Sequence, residues 1–446
     1  MESWTEHVIW WHVYPLGFLG AERTALPDGA SGPDGAVPPS RLRRLEPWLD
    51  YLRDLGCNGL ALGPVFRSAS HGYDTVDYYA VDPRLGTTDD LRWLFDACRQ
   101  RGVHVLLDGV FNHVGRDHAA FQDVLAHGRR SPYASWFRID WDAEGPDGFG
   151  YETFEGHAHL VALNHREPAV AELVRGVLRH WLDAGAAGWR LDAAYAVPPE
   201  FWRATVEPVR SEYPDAWFVG EMIHGDYTGY VTAGGLDSVT QYELWKATWS
   251  ALADRNFFEL AWAIDRHLEF AAVFPPQTFL GNHDVTRLAD QVGDDRHLGH
   301  AIAVLATMPG IPSVYAGDEQ AFRGRKENRA GGDDAVRPAF PALPDELAPY
   351  GWPVYRLHQE LLGLRRRHAW LVRGVPTIGT ITNTTLTYRV DGPDDAHLLV
   401  ALNIGDDPLT VDAPGYQVAA GTSSPETPSA GVTVPPHGFA VLAPGT

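Results

Sequence analysis

The stretch GWRLDAAYAV, Gly188 to Val197, sets an arginine and an aspartate two residues apart in an otherwise uncharged run. Gly185, Ala186 and Ala187 lead into it, and Pro198 and Pro199 end it. A short apolar run between such breakers reads as a buried strand. A buried strand that carries two charges must either pair them or use them.

Working outward, the same texture recurs. The runs HVIWWHV, NGLAL, VHVLLDGV, GWRL, AWFVGE, LDSV, QTFLG and IPSVY are strand candidates. Helical patterns lie between them, among them LRRLEPWLDYLRDLG, TDDLRWLFDACRQRG, PAVAELVRGVLRHWLDAG and PEFWRATVEPVRSEY. Their apolar residues recur at spacings of three and four, and several stop at glycine. Eight strands alternating with helices predict an α/β fold, a (β/α)8 TIM barrel of parallel strands.

Two segments break the alternation. Residues 115–166 are rich in glycine, aromatics and histidine with no clear helical period, and are expected to form a loop-like excursion domain after the third strand. Residues 369–446 change to β-rich alternation (TLTYRV, HLLVALN, GFAVLAP) punctuated by GPDD, GDDP and PPHG. They predict a C-terminal antiparallel β-sandwich domain. Residues 1–114 and 167–368 then make the barrel. The Pro/Gly run from Pro27 to Pro39 reads as a surface loop after the first strand.

Four strand candidates end in an acid: VLLDG at Asp108, WRLD at Asp192, FVGE at Glu221 and FLGNHD at Asp284. Aspartate at such a place is often a helix N-cap. Glutamate is a poor cap, however, and capping does not explain four units ending alike. In a barrel the C-terminal strand ends build the active site, so four carboxylates converge on one cleft. Crowding and burial push their pKa values apart, which suits glycoside hydrolysis by a nucleophile or base and a proton donor. No GxxxxGK[ST] phosphate loop and no HExxH metal motif occurs. His113 and His283 stand beside two of the acid-bearing segments, either as satisfied structural histidines or as donors to sugar hydroxyls. Tyr73, Tyr78 and Tyr79 fall near the second strand's loop; most such aromatics are core, but a tyrosine face exposed in an acidic cleft makes a platform for a sugar ring. The residues alone point to a carbohydrate-active enzyme, retaining or inverting.

Bulk properties fit. The chain has 446 residues, 45% hydrophobic and 21% charged, enough for a sizeable core. A formal net charge of -22 argues against nucleic acid and anionic membrane as partners. Cys57 and Cys98 are the only cysteines and are expected to be reduced, though one disulfide could form. The N-terminus lacks a basic region and is interrupted by His12 and Pro15, so neither a signal peptide nor a membrane span is expected, and the location implied is cytoplasmic.

These residues together resemble the α-amylase superfamily, glycoside hydrolase family thirteen. DGVFNH, GWRLD, the GE of FVGEMIH and GNHD match its four signatures; HGYDTVDYYAVDPRLGT, GIPSVYAGDE and LVALNH match flanking segments. Seven segments in the family's order make the resemblance specific over nearly the whole chain. It implies Asp192 as nucleophile, Glu221 as acid and then base, and Asp284 as the group that binds and distorts the sugar. It implies that Arg190 holds Asp192 ionised, that His113 and His283 donate to sugar hydroxyls, and that Tyr73 stacks on the ring. Asp74, with the pair Asp333 and Arg337, would close the outer side of that subsite, with Asp334 competing for the role of Asp333. Asp108 would be structural, and Asn112 would orient the excursion.

Within the family, GWRLD followed by PPEFWR, and Glu221 followed by His224, resemble the neopullulanase, cyclomaltodextrinase and maltogenic amylase group. That implies cleavage of α-1,4 and also α-1,6 bonds in short, cyclic or branched malto-oligosaccharides, often with transfer. The first strand candidate begins within the first dozen residues, so the N-terminal β domain that group uses to dimerise is expected to be absent and its mode of dimerisation unavailable; the expected state is a monomer or a homodimer. Tyr195 and Ala196 stand where the group has polar residues on the acceptor side of the cleft. The chemistry implied requires no cofactor; a structural Ca²⁺ is left open with no residues assigned to it. Two other functions compete: a transglycosidase or isomerase of the same fold acting on trehalose- or sucrose-type substrates, and a non-catalytic interaction protein. The second conflicts with the retention of all three carboxylates.

Overall fold

The computed structural model describes residues 4–25, 40–329, 331–422 and 431–445. The loop expected over Pro27–Pro39 lies outside the described residues. All eight strand candidates form strands: β1 Trp10–Val13, β2 Gly59–Leu62, β3 His104–Gly109, β4 Gly188–Leu191, β5 Trp217–Gly220, β6 Ser238–Val239, β7 Gln277–Phe279 and β8 Ile311–Tyr315. They pair in parallel in the order β6-β5-β4-β3-β2-β1-β8-β7, and a parallel bridge from Thr240 to Gln277 closes the ring. The chain folds as a TIM barrel with a C-terminal antiparallel domain.

Strand periodicity decides what enters the barrel. In β1, Trp10 points inward and stacks on Trp217, centroids 5.5 Å apart. Trp11 points outward against Trp48 of the following helix, and His12 points inward one layer higher. Gly59 is required beside this layer: a Cβ there would lie 2.4 Å from the Trp10 ring. Trp10, Ala61, Leu106, Trp217, Val219 and Ile311 fill the lower interior with apolar bulk. The next inward positions upward are polar, Asp108 after Leu106 and Glu221 after Val219. One alternation therefore yields both the packed floor and the charged mouth.

The four helical patterns form helices at Glu46–Leu55, Thr88–Gln100, Pro168–Ala184 and Pro199–Glu212. Gly56 and Gly185 end the first and third with positive φ. The excursion differs from its expected loop-like character. Its strand His113–Gly115 pairs antiparallel with Leu160–Ala162, and Ala119–His127 is a helix capped by His118. That helix buries only Ala120, Phe121 and Val124, too few positions for a visible period.

The C-terminal domain carries β9 Val375–Ile381, β10 Thr385–Asp391, β11 His397–Asn403, β12 Leu409–Val411, β13 Tyr416–Gly421, β14 Val432–Val434 and β15 Phe439–Pro444. They form a sheet ordered β9-β10-β11-β15-β13 and a hairpin-like pair β12-β14. The domain docks on the barrel helix Leu298–Thr307, where His300 Nε2 lies 3.0 and 2.9 Å from the carbonyl oxygens of Asn403 and Gly438. Cys57 and Cys98 are buried free thiols. No helix among the described residues is long and apolar enough to cross a membrane.

Candidate active site

Asp108, Asp192, Glu221 and Asp284 all reach the mouth of the barrel from its strand ends; the first three share one ionic network, while Asp284 pairs with Arg337. Arg190, inward on β4, is the hub of that network. Its Nη1 donates to both oxygens of Asp108 at 2.7 Å and to Asp192 Oδ1 at 3.1 Å. Its Nη2 lies 2.8 Å from Glu221 Oε1. The sequence paired Arg190 with Asp192 alone; the structure gives it three carboxylates, with Asp192 the longest contact. Strand register explains the difference, because Arg190 sits level with Asp108 on β3 and Val219 on β5.

The turn after β4 aims a further donor. Ala193 adopts a left-handed backbone, φ 44, uncommon for a residue with a Cβ. Its N–H thereby donates to Glu221 Oε2 at 2.9 Å. Strain of this kind gathers where structure must serve a site. Tyr242 adds a long contact to Glu221 Oε1 at 3.4 Å and accepts a hydrogen bond from Asn282 at 2.7 Å.

Asp284 stands in different company. Its Oδ1 receives Arg337 Nη2 at 2.6 Å and its Oδ2 lies 2.8 Å from His283 Nε2. Arg337 also donates to the His283 carbonyl at 2.8 Å and lies over the Tyr14 ring at 4.7 Å. Asp333 is 3.3 Å from Arg337, while Asp334 pairs with Arg23 at 2.5 Å. Of the two aspartates it is Asp333 that pairs with Arg337, although Asp284 is Arg337's nearer partner.

Other expected residues are placed differently from a simple sugar contact. Both His113 nitrogens are engaged within the protein, Nε2 with the Tyr73 carbonyl at 3.0 Å and Nδ1 with Asn112 at 3.1 Å. The His113 ring stacks on Phe154. The Tyr73 ring runs parallel to that of His283 with centroids 5.3 Å apart, and its hydroxyl contacts both His283 Nε2 and Asp108. Asp74 is buried and accepts a hydrogen bond from Ser70 at 2.6 Å. Asn112 takes the Leu163 amide on its carbonyl, tying the end of the excursion to the barrel. Tyr195 is half-buried and donates to Glu155 of the excursion at 3.1 Å.

The network divides electrostatically. Burial raises the pKa of Asp192 well above the carboxylate range; Arg190 opposes this, but Glu221, Asp108 and Asp284 reinforce it. Asp108 is raised for the same first reason. Burial would raise Asp284 too, yet His283, Arg337 and Lys326 outweigh it and hold its carboxyl well below the usual range. Burial lowers His113 to about 4 and keeps it neutral. Beneath the carboxylates a polar cavity of about 30 Å³, bordered by His12, Arg190, Glu221, Tyr242, Asn282 and His283, has room for about one water molecule.

Sequence reasoning passed over Tyr14, Tyr242, Asn282 and Glu155. Asn282 lay within the quoted GNHD and could have been singled out. The other three reach the site through contacts with no local signature.

A TIM barrel whose strand ends gather buried carboxylates around one guanidinium defines a glycoside hydrolase of the barrel class. The chain belongs to the α-amylase family: residues 42–340 match the model of the alpha amylase catalytic domain. It is 29% identical to a cyclomaltodextrinase of Geobacillus thermopakistaniensis over 99% of this chain and 77% of that one. It is 31% identical to neopullulanase 2 of Thermoactinomyces vulgaris over 92% of this chain and 71% of that one. The solved cyclic alpha-maltosyl-(1→6)-maltose hydrolase of Arthrobacter globiformis superposes with a TM-score of 0.82 at 26% identity, covering 99% of both chains.

Proposed function

We propose that this enzyme cleaves α-1,4 and also α-1,6 glucosidic bonds in short, cyclic or branched malto-oligosaccharides, with retention of anomeric configuration. The observation that carries the reading is the sharing of Arg190 between Asp192 and Glu221 on adjacent strand ends. Two carboxyls on one guanidinium are close enough to act from opposite sides of a single anomeric carbon.

The steps follow from those groups. Glu221 gives its proton to the glycosidic oxygen as the C1–O bond breaks and the leaving sugar departs. A carboxylate oxygen of Asp192 forms an ester bond to C1. Glu221, now a carboxylate, takes a proton from water while the water oxygen attacks C1 and Asp192 leaves. Two inversions give net retention. Asp284, ionised by its own cations, accepts hydrogen bonds from sugar hydroxyls and stabilises the oxocarbenium-like state. Side chains and water supply every step.

The reactive arrangement needs Asp192 as the carboxylate, and the charge of Arg190 opposes the effect of burial on it. Arg190 contacts both carboxyls and keeps their spacing fixed through the two steps. Sugar hydroxyls can replace water in the second step, and Tyr195 with Glu155 stands on the side where such an acceptor would enter. Two buried free thiols suit a cytoplasmic setting.

The test is product analysis with maltotriose, a cyclodextrin, pullulan and sucrose, following the first-formed anomer by NMR. An α-anomer released from maltodextrins is expected. A β-anomer would overturn double displacement, and a new disaccharide without net reducing-end release would make the enzyme a transglycosidase.

A further inference from the structure

At the joint between the barrel and the C-terminal domain, three metal-ligating side chains converge away from the cleft. Asp294 and His297 precede the barrel helix Leu298–Thr307, and His437 precedes β15. One ligand atom from each lies within 4.8 Å of the others. His297 Nε2 is 3.0 Å from His437 Nδ1, and the two rings are nearly parallel. Asp406 Oδ1 lies 3.1 Å from His437 Nε2.

These contacts fix the chemistry. Asp406 accepts the Nε2 proton of His437, which leaves the Nδ1 lone pair aimed at His297. A carboxylate behind one imidazole nitrogen is the usual support for metal binding by the other. Two ligand nitrogens on a tetrahedral ion with bonds of 2.0–2.1 Å sit about 3.3 Å apart, close to the separation here. His297 is buried and braced by the perpendicular His300 ring. His437 takes a left-handed φ of 55 in the turn before β15, which fixes the direction of its ring. Arg296 donates to both oxygens of Asp294, at 3.0 Å to Oδ1 and 2.7 Å to Oδ2, and orients it. Oδ2 also takes Arg296 Nε at 3.1 Å, the longer half of a bifurcated contact, which an ion would replace. Asp294 and His437 are half-buried, so an ion can enter from solvent and retain a water in its fourth position.

We propose that Asp294, His297 and His437 bind one divalent transition metal of the zinc class, which staples the C-terminal domain to the barrel. Two imidazoles favour zinc, cobalt, nickel or copper over calcium or magnesium. The ion would act on stability alone, since each of its ligands lies at the domain joint.

The test uses the full chain, stripped with a chelator and dialysed, then given Zn²⁺ or Co²⁺. Bound metal per chain, the visible spectrum of the Co²⁺ form and Tm are measured. One ion per chain is expected, with tetrahedral Co²⁺ bands and a Tm rise of about 3 °C at saturating metal. His437→Ala and Asp294→Asn should abolish the metal-dependent part of Tm and the Co²⁺ bands, whatever they do to the metal-free Tm. Asp406→Asn should weaken binding by about 10–100-fold. Absence of stoichiometric metal overturns the proposal, and so does equal binding by the His437→Ala variant, which would leave only a histidine–histidine hydrogen bond at the joint.

Discussion

Two aspartates at the barrel mouth, Asp192 after β4 and Asp284 beyond β7, are opposites in everything but residue type. Asp192 shares one guanidinium with Asp108 and Glu221, so a single positive charge faces three negative ones. Asp284 has Arg337 and His283 at its two oxygens and Lys326 near by. Burial acts on both in the same direction. The count of neighbouring charges decides that one is pushed up and the other held down. An end poor in cations favours the protonated carboxyl, and an end rich in them keeps a fixed anion.

The largest expected effect comes from removing the two groups that share Arg190. Asp192→Asn or Glu221→Gln should lower kcat/KM on maltotriose by about 10⁴-fold or more, the scale seen when a nucleophile or its proton partner is lost. An Asp192→Asn protein that still cleaved glucans at the parent rate would end the assignment of roles. Next comes the conversion of the cation-rich end into a poorer one. Arg337→Met leaves Asp284 with His283 and the more distant Lys326, and kcat/KM should fall by about 10²-fold, measured on the same substrate. Its acid limb should move to higher pH, because Asp284 then titrates nearer the ordinary range.

A thermal measurement separates the two ends by sign. The folded pKa of Asp192 is raised, so ionising it costs stability once pH exceeds the unfolded value of about 3.9. Asp192→Asn should therefore raise Tm at pH 7, by about 2 °C, and the gain should vanish as pH falls below about 4. The folded pKa of Asp284 is depressed, so its ionised form contributes stability that is lost only as pH falls through that low value. Asp284→Asn should lower Tm at pH 7 by a similar amount. Shifts of the same sign would show that burial, and not the local count of charges, governs both residues.

What could be foreseen from the sequence follows the same physics. The eight strands were legible because a buried strand needs a continuous apolar run, and the acids were legible because each closes such a run. Asp192, Glu221 and Asp284 were therefore nameable from pattern and resemblance together. Arg190's allegiance to Asp108 and Glu221 was not, since it depends on register between strands 82 and 31 residues away in sequence. The helix Ala119–His127 was missed because two turns with three buried positions carry almost no period. His113 shows the opposite failure: its motif was visible, but its ring is spent on Tyr73, Asn112 and Phe154 within the protein.

The smallest effect belongs to a contact outside either carboxylate end. Tyr195, in the turn after β4, reaches across to Glu155, which the excursion holds with a strained φ of 49. Beside it, Met222, His224, Asp226 and Tyr230 border an open pocket of about 320 Å³. Under the proposed function that pocket, which begins at Met222 next to Glu221 in the chain, is the place for the leaving sugar or an acceptor. A single hydrogen bond there is worth about 1 kcal/mol, or about five-fold. Tyr195→Phe keeps the ring and removes only the bond, while Glu155→Ala removes it from the other side. Both should change the ratio of transfer to hydrolysis products by about that five-fold factor, in the same direction, while maltotriose consumption changes less. If the two variants move the ratio in opposite directions, Glu155 meets the acceptor itself and the bridge is incidental. If neither moves it, acceptor choice is made by the residues that follow Glu221, and the departure at Tyr195 has no part in it.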